Sequence, residues 1–175
     1  MIFGHIHPAD ISLGSRQTAK GRMTMKIIQG DLLKLAREGQ FDVIVHGCNC
    51  FCTMGAGIAR QIADRFPQSL KADQATRSGD RSKLGDYTKA DIRLPDHRLT
   101  IVNGYTQFDF SGPGVLADYD AIDRLFRKLK IDFSGQRIGY PKIGAGLAGG
   151  DWERIARIID RALAGENHIL VEFIR

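Results

Sequence analysis

The sequence predicts an α/β protein, a three-layer α/β/α sandwich built on a mixed sheet of about six strands. Short apolar runs alternate with helical patterns from Met25 onward, and this alternation is typical of layered α/β architectures. Two predicted strands, 87–94 and 99–105, are separated only by a short connection that contains Pro-Asp, so we expect them to be antiparallel. The sheet is therefore expected to mix strand directions and to carry helices on both faces.

Length and composition indicate a single globular domain. The chain has 175 residues and a mass of 19.4 kDa, and hydrophobic and charged residues make up 43% and 26% of it. No apolar run approaches the roughly 18 residues of a membrane span, so we expect no membrane partner. Residues 1–22 are polar and lack a secretory signal. We expect a partly disordered leader at 1–22 and one domain at 23–175.

Charge and cysteine content indicate the class of partner and the cellular compartment to expect. The net charge is +5, from 25 basic and 20 acidic residues, and no run of like charges concentrates it. This mild excess favours an anionic ligand, and we expect no specific nucleic-acid partner. Cys48, Cys50 and Cys52 form an odd, closely spaced set that cannot build a disulfide framework. We therefore expect a reducing, cytoplasmic location.

The first half of the predicted domain alternates strands and helices. Val43, Ile44 and Val45 form a continuous apolar run, which is typical of a buried strand. Pro67 is tolerated in the first turn of a helix and predicts a helix start. In chain order we expect a strand at 25–29, a helix at 31–38, a strand at 41–45, a loop at 47–57, and helices at 57–66 and 67–77.

The second half, after the antiparallel pair, contains the clearest helix. Apolar residues recur there at three- and four-residue spacing, which predicts one buried face. Asp151 precedes a second helical pattern and is suited to be its N-cap. In chain order we expect a helix at 115–133, a strand at 137–140, a loop at 143–150, a helix at 151–164 and a strand at 168–173.

Two segments share one pattern, in which an apolar strand leads into a glycine loop and then a helix. We call 47–57 the first glycine loop and 143–150 the second glycine loop. Glycines let backbone N–H groups approach a bulky anion, and a following helix offers unpaired N–H groups at its positive end. Two such loops in one small domain predict that both converge on a single phosphate or diphosphate. Simple structural turns are the alternative.

The second glycine loop also matches the dinucleotide fingerprint G-x-G-x-x-G at Gly144, Gly146 and Gly149, with Glu172 near the position of a ribose-binding acid. A dinucleotide fold places this motif at its first strand, with further strands to follow. Only one predicted strand follows the motif before Arg175. We therefore do not expect a dinucleotide fold.

Together these motifs resemble those of a macrodomain, the ADP-ribose-binding α/β module. The resemblance runs from about Lys26 to Phe173. It rests on a strand followed by Gly-Asp at 27–31, an Asn-containing loop leading to Gly-Ala-Gly-Ile at 46–58, and a late glycine loop at 143–147. The resemblance implies ADP-ribose or a derivative as the ligand, with no cofactor and no metal.

The resemblance also implies roles for individual residues. Asp31, which is equally suited to be a helix N-cap, accepts a hydrogen bond from the adenine amino group. Asn49 reaches the distal ribose hydroxyls, and the two glycine loops hold the diphosphate through backbone N–H groups. Independently of the resemblance, Phe108 and Phe110 lie in a segment flanked by glycines, and loop aromatics of this kind are often binding surfaces, so one of them is a candidate to cover the distal ribose or the adenine. The ligand-binding residues expected are Asp31, Leu32, Asn49, Met54, Gly55, Ala56, Gly57, Ile58, Gln107, Phe108, Ile143, Gly144, Ala145, Gly146 and Leu147.

Within the family, the first loop is most similar to a subgroup that contains ADP-ribose 1″-phosphate phosphatases and deacylating macrodomains. Ala59 stands where one hydrolase branch has an acid. The segment 105–108 lacks the lysine of the deacylating branch, and Ala148 replaces its aspartate. Neither of these two catalytic sets carries over to this chain.

The resemblance leaves His46 and Asn49 as the catalytic residues. His46 matches a histidine of the phosphatase subgroup and would act as a general acid or base, and holding the loop by hydrogen bonds is the alternative. Asp109 is a second candidate, for positioning water. His46 and the three cysteines alternate along the chain, but a one-residue spacing crowds metal ligands, so we expect no metal.

The function that we expect is binding of ADP-ribose with hydrolysis of ADP-ribose 1″-phosphate to ADP-ribose and phosphate. A non-catalytic reader of ADP-ribose is one alternative. A hydrolase that removes ADP-ribose from modified protein or nucleic acid is another. An RNA-binding domain driven by basic charge is a further alternative of a different class.

Overall fold

The computed structural model describes residues 25–173, so the leader predicted at 1–22 lies outside the described residues. The strands are β1 (Lys26–Gln29), β2 (Val43–Cys48), β3 (Tyr87–Arg93), β4 (Arg98–Tyr105), β5 (Ile138–Tyr140) and β6 (His168–Glu172). The helices are α1 (Leu32–Arg37), α2 (Gly57–Arg65), α3 (Pro67–Gln74), α4 (Tyr119–Asp132) and α5 (Trp152–Ala162), and a short 3-10 helix spans Arg81–Lys83.

Within residues 25–173 the strands form one mixed sheet in the order β1-β6-β5-β2-β4-β3. In this spatial order, β1, β6, β5, β2 and β4 are all parallel to their neighbours. The edge strand β3 pairs antiparallel with β4. The predicted fold class and the predicted antiparallel pair are confirmed. Because parallel strands end on the same side of a sheet, the segments that follow β1, β2, β4 and β5 emerge together. We call this side the carboxyl edge; it carries Asp31, both glycine loops and Gln107.

The core lies on both faces of the sheet, because side chains alternate along each strand. Val43 and Val45 of β2 pack with α4 and α5, whereas Ile44 packs with α1 and α2 on the opposite face. Leu125 and Leu129 of α4 are fully buried, as the apolar period predicts. Within the described range, no helix is both long enough and apolar enough to cross a membrane.

Helix α4 begins later than the predicted helix at 115–133. The amide groups of Leu116 and Ala117 both donate to the Ala148 carbonyl, at 2.8 and 3.3 Å, and this fixes the segment as an extended chain. Asp118 then caps α4 by accepting from an amide of its first turn at 2.8 Å. The apolar period alone could not show that the first residues of the pattern pair with the second glycine loop.

Candidate functional site

The two glycine loops lie side by side at the carboxyl edge, because β2 and β5 are parallel neighbours. A Cβ atom built on Gly57 would lie 3.9 Å from Leu147 Cδ1, and one built on Gly47 would lie 3.3 Å from Ile143 Cγ2. Distances this short between the two loops place both around one space. The two loops therefore lie next to each other, and that they hold one phosphate or diphosphate stays a prediction.

The first glycine loop leads into a helix with an open N-terminus. Ala56 is the N-cap of α2 and is extended, with φ −146° and ψ 164°, and no side chain caps this helix. The first amide groups of a helix have no partner within it, so those of α2 stay available at the positive end of the helix dipole. Around a Cβ built on Gly55 no atom lies within 4 Å, so the space beside the loop is open. The residue just before the helix end therefore borders open space.

The second glycine loop is closed by its own backbone. The amide groups of Gly149 and Gly150 donate to carbonyl oxygens of the same loop, at 3.0 and 2.8 Å. A Cβ built on Gly146 has no atom within 4 Å, so this side of the loop is open. The helix that follows is α5, and the Asp151 carboxylate caps it by accepting from Glu153 N at 2.9 Å, as predicted. The further expectation that this helix offers free amide groups to an anion is therefore wrong. Any anion is therefore held here by loop amides alone.

Asp31 lies at the other end of the carboxyl edge and caps α1. Its Oδ1 accepts from Leu33 N at 2.9 Å and from Lys34 N at 3.1 Å. Oδ2 lies 3.8 Å from Nη1 of Arg65, which is too far for a hydrogen bond. The N-cap interpretation is confirmed, and it leaves Oδ2 able to accept from a ligand.

Asn49 is buried and holds the first glycine loop. Its Nδ2 donates to the carbonyl and the hydroxyl oxygens of Thr53, both at 2.9 Å. Its Oδ1 accepts from Phe51 N at 2.8 Å, and a carbonyl oxygen has capacity for one more donor. The predicted contact with a ribose stays a prediction, and it falls on Oδ1.

His46 lies beneath the site rather than in it. Its side chain is fully buried, and Nε2 lies 2.8 Å from Oδ1 of Asn103. Burial lowers the pKa of His46 to about 4, so the ring is neutral at pH 7. This placement corrects the expectation that His46 acts on the ligand as a general acid or base, because no atom of the ring is exposed. It fits the alternative, a histidine that supports the end of β2.

The three cysteines differ in burial. Cys48 and Cys50 are buried and pack with Met54 and Tyr105, as expected of small core residues. Burial raises the pKa of both thiols, that of Cys48 strongly. Cys52 is half-buried. Among residues 25–173, no three His, Cys, Asp or Glu side chains are grouped so that they could hold a metal ion.

An aromatic cluster lies beyond Asn49. The rings of Phe51 and Phe108 pack edge to face with centroids 5.0 Å apart, and the ring of Phe110 lies 5.9 Å from that of Phe51. The Arg81 guanidinium covers Phe108, 3.6 Å from the ring centroid. Phe110 exposes 55% of its surface. Phe51 and Arg81 escaped sequence reasoning because only the fold brings these distant segments together.

The remaining predicted ligand-binding residues divide by exposure. Leu32, Met54 and Ile143 have buried side chains, so a ligand would meet mainly their backbone. Gln107 is half-buried, and its Nε2 donates to the Asp109 carbonyl at 2.6 Å. Four more of the predicted residues are half-buried: Ile58, Phe108, Gly144 and Ala145. Five are exposed: Gly55, Ala56, Gly57, Gly146 and Leu147.

A polar cluster that no sequence motif indicated lies beside the first glycine loop. We call it the Lys83 cluster; it consists of Cys52, Asp73, Thr76, Lys83 and Tyr105. Lys83 Nζ donates to Thr76 Oγ1 at 2.8 Å and lies 3.3 Å from Cys52 Sγ. The Tyr105 hydroxyl donates to Oδ1 of Asp73 at 2.7 Å, and burial raises the pKa of Asp73. The cluster is therefore a buried charge network next to the proposed ligand space.

The fold and the paired loops define an α/β module with two adjacent glycine loops at the carboxyl edge of its sheet. No model of a known protein family matches the chain. The chain is 39% identical over 144 residues to an uncharacterized 17.5 kDa protein from the tk-vs intergenic region of Enterobacteria phage T4, covering 79% of this chain and 89% of that protein. The macrodomain of Mycobacterium tuberculosis DarG superposes with a TM-score of 0.65 at 24% identity, covering 86% of this chain and 99% of that chain. The chain therefore has the macrodomain fold.

Two further relatives carry names that describe an activity. The DNA ADP-ribosyl glycohydrolase of Mycobacterium tuberculosis is 33% identical over 131 residues, which is 72% of this chain but only 35% of that protein. The ADP-ribose 1″-phosphate phosphatase of Lodderomyces elongisporus is 26% identical over 150 residues, covering 79% of this chain and 92% of that protein. Thermosipho africanus DarTG, solved with ADP-ribose, has a TM-score of 0.67 at 14% identity, covering 86% of this chain and 41% of that chain.

Proposed function

We propose that the protein binds ADP-ribose along the carboxyl edge and hydrolyses ADP-ribose 1″-phosphate to ADP-ribose and phosphate. The observation that carries the proposal is the meeting of the two glycine loops around one open space, with the uncapped end of α2 beside it. A diphosphate in this space accepts hydrogen bonds from amides of both loops. The phosphatase relative, which this chain matches over 92% of its length, supports the same activity.

The two ends of the ligand then fall on different residues. Oδ2 of Asp31 accepts from the adenine amino group, because its Oδ1 is already occupied by the α1 cap. Oδ1 of Asn49 accepts from a distal ribose hydroxyl with its remaining lone pair. Gln107 and Phe108 line the same end. In this proposal the first glycine loop binds through the amides of 55–58 and the second through those of 144–147.

Hydrolysis proceeds by attack of water on the terminal phosphorus, with cleavage of the bond between phosphorus and the ribose oxygen. We assign the positioning of that water to Asp109, because His46 is buried. Oδ1 of Asp109 accepts from Phe110 N at 2.8 Å, so the carboxylate is fixed and Oδ2 is left to bind water. Asn49 contributes by holding the ribose that carries the leaving oxygen.

The test separates binding from turnover. Calorimetry with ADP-ribose and a phosphate-release assay with ADP-ribose 1″-phosphate are run on the wild type and on Asp109→Asn, which keeps the Oδ1 acceptor. We expect unchanged affinity and a loss of turnover of about a hundredfold. Asp118→Asn, the same change at the cap of α4, is the matched control and keeps full turnover. Affinity without any wild-type turnover would make the protein a reader, and absence of affinity would end the proposal.

Removal of ADP-ribose from nucleic acid is a second candidate, and the aromatic cluster favours it. A base attached to the distal ribose could stack on exposed Phe110 beside Arg81, and such stacking contributes roughly 1–3 kcal/mol per base. The glycohydrolase relative points the same way, although this chain spans only 35% of that protein. Segment 105–108 lacks the lysine of the deacylating branch, and Ala148 stands in place of its aspartate, which weighs against this candidate. Release of ADP-ribose from a modified single-stranded oligonucleotide tests it directly.

A cytoplasmic, reducing location is part of the proposal, because all three cysteines are free thiols. An odd, closely spaced set of cysteines supports a reducing compartment. Fractionation of the expressing cells tests the location.

A further inference from the structure

We propose that Cys52 is a redox-sensitive modification site, at which hydrogen peroxide converts the thiol into a sulfenic acid. The site lies in the Lys83 cluster, outside the residues assigned to ligand binding and catalysis. The inference rests on how the fold treats the three cysteines of this chain.

The fold holds a lysine ammonium against the Cys52 sulfur. Lys83 is only 8% exposed, and its Nζ lies 3.3 Å from Cys52 Sγ. The Thr76 hydroxyl donates its hydrogen to the Asp73 carbonyl at 2.7 Å, so its oxygen is free to accept from Lys83 at 2.8 Å. This bond fixes the ammonium in place. A buried ammonium therefore lies in contact with the sulfur of a half-buried cysteine, and a neighbouring lysine is a feature of reactive cysteines.

A buried carboxyl group, that of Asp73, belongs to the same cluster. Asp73 is fully buried; Oδ1 is occupied by the Tyr105 hydroxyl at 2.7 Å, and Oδ2 has no hydrogen-bond partner in the described part of the chain. Burial raises the pKa of Asp73, whereas Tyr105, Lys83 and Cys52 oppose that rise. The buried, unpartnered Oδ2 is an acceptor that a new S–OH group can use.

The other two cysteines are controls within the same chain. Cys48 and Cys50 are buried at 4% and 0% exposure, and burial raises the pKa of both thiols. Neither has a hydrogen bond from a lysine like that of Cys52. Peroxide therefore meets one half-buried cysteine with an ammonium at its sulfur and two buried thiols.

The reaction is a two-electron oxidation. The Cys52 sulfur attacks one peroxide oxygen, so that an S–O bond forms while the O–O bond breaks. The leaving hydroxide takes up the thiol proton and departs as water, and the sulfur carries the remaining OH. Two molecules of a small thiol reduce the product back to the cysteine: the first forms a mixed disulfide and releases water, and the second releases the cysteine together with the disulfide of the small thiol.

Oxidation should also change ligand binding, a consequence that rests on the proposed function. Cys52 lies between Phe51 and Thr53, the two residues to which Asn49 is bonded. Its φ of +59° is in the left-handed region, which residues other than glycine seldom adopt. An added oxygen must displace Lys83 or Thr76 from the sulfur. The Asn49 loop then shifts, and affinity for ADP-ribose falls.

Peroxide treatment of the full chain with dimedone, followed by peptide mass spectrometry, tests the site without any ligand. We expect the adduct on Cys52 at a rate about tenfold or more above that of Cys48 and Cys50. Cys52→Ser abolishes the adduct and Cys50→Ser leaves it unchanged. Lys83→Met slows labelling about tenfold, whereas Lys83→Arg, which keeps the charge, restores most of it.

Two results overturn the proposal: equal labelling of all three cysteines in the wild type, or a loss of two hydrogens that marks a disulfide. Both are measured on the unmutated protein, so a poorly folded variant cannot obscure them. The titration with ADP-ribose is repeated before and after oxidation. If the reduced protein does not bind, the proposed function fails while the labelling result stands. If the reduced protein binds and oxidation leaves affinity unchanged, the consequence for the ligand is wrong.

Discussion

The two glycine loops share a sequence pattern but are held in opposite ways. Side chains hold the first loop, where Asn49 makes three hydrogen bonds to Phe51 and Thr53, and buried Met54 packs beneath. Backbone bonds hold the second loop, with Gly149 and Gly150 donating back into it. A loop held by side chains changes shape when those side chains change, whereas a loop held by backbone tolerates substitution wherever a Cβ has room.

The helices behind the loops differ as well. The N-terminus of α2 has no side-chain cap, whereas that of α5 is occupied by the carboxylate of Asp151. A capping carboxylate satisfies the amides and places negative charge where an anion would sit. The two loops therefore differ in what they offer an anion, despite their similar sequences. The first loop offers the amides of a helix N-terminus, whereas the second loop offers only loop amides.

The largest expected effect comes from filling the space that both loops share. Gly55 and Gly146 are a matched pair, because neither has a positive φ and neither has an atom within 4 Å of a built Cβ. Gly55→Val and Gly146→Val should each weaken ADP-ribose binding at least a thousandfold, about 4 kcal/mol. Calorimetry measures the affinity, and thermal unfolding should show little change. Loss of affinity at only one of the two positions would show that only that loop borders the ligand.

The control is a glycine away from both loops. Gly165 also has room for a Cβ, but its φ is +87°. Gly165→Ala should lower stability by about 1 kcal/mol and leave affinity intact.

The second largest effect concerns the histidine under the first loop. The pKa of His46 falls from an unfolded value near 6.5 to about 4 in the fold, because burial disfavours the charged ring. The unfolded chain therefore binds the proton more readily than the folded chain. The contribution of His46 to the free energy of unfolding is fully present above pH 6.5 and is lost as the pH falls toward 4. The loss attributed to His46 is about 3 kcal/mol, to be measured by urea unfolding at pH 7.5 and 4.5.

His46→Gln keeps an N–H donor for Asn103 without titrating in this window, so its stability should be flatter between the two pH values. Burial also lowers the pKa of His168, which bonds to Tyr140 at 2.7 Å, so part of the slope remains in that variant. His168→Gln separates the two contributions. An equal slope in wild type and His46→Gln would show that His46 is hydrated in solution.

A smaller effect is expected at the adenine end. In Asp31→Asn the amide oxygen can still cap α1, while an NH2 group replaces Oδ2 and meets the adenine amino group donor to donor. Affinity should fall by roughly 1.5–3 kcal/mol. Stability should change little, because Asn and Asp are similar N-caps. Asp118→Asn is the matched control at α4. Unchanged affinity in Asp31→Asn would remove Asp31 from the ligand site.

Apolar patterns and local turn and cap signals in the sequence were enough to predict the sheet. The apolar run at Val43, Ile44 and Val45, the short connection at Pro95 and the cap at Asp151 are local signals, and each is confirmed. That the two loops lie next to each other was also predictable, since two parallel strands end on the same side of a sheet.

The interior of the site was not predictable, because its partners are distant in sequence. His46 meets Asn103 across two strands, and Ser69 Oγ donates to the same Asn103 oxygen from α3 at 2.6 Å. The pairing of Lys83 with Cys52 likewise spans a gap that no spacing rule covers. A resemblance could mark His46 as important, but only burial shows that it supports the loop from below.

The smallest change in stability gives the sharpest test of the comparison between the loops. Ala56→Asp places a carboxylate at the open N-cap of α2, where the backbone is already extended. This makes the first loop resemble the second, with a capped helix behind it. Stability should rise by about 1 kcal/mol, and ADP-ribose affinity should fall more than about tenfold, because the carboxylate occupies the amides and repels the diphosphate.

The reverse change is Asp151→Ala, which uncaps α5. It should lower stability by about 1 kcal/mol and leave affinity unchanged, because that helix end is not assigned to the ligand. The two variants therefore move stability in opposite directions, while only Ala56→Asp reduces binding. If Ala56→Asp stabilises the fold and still binds ADP-ribose as tightly as the wild type, the amides of α2 do not hold the diphosphate. The loops would then be equivalent, with both acting through loop amides alone.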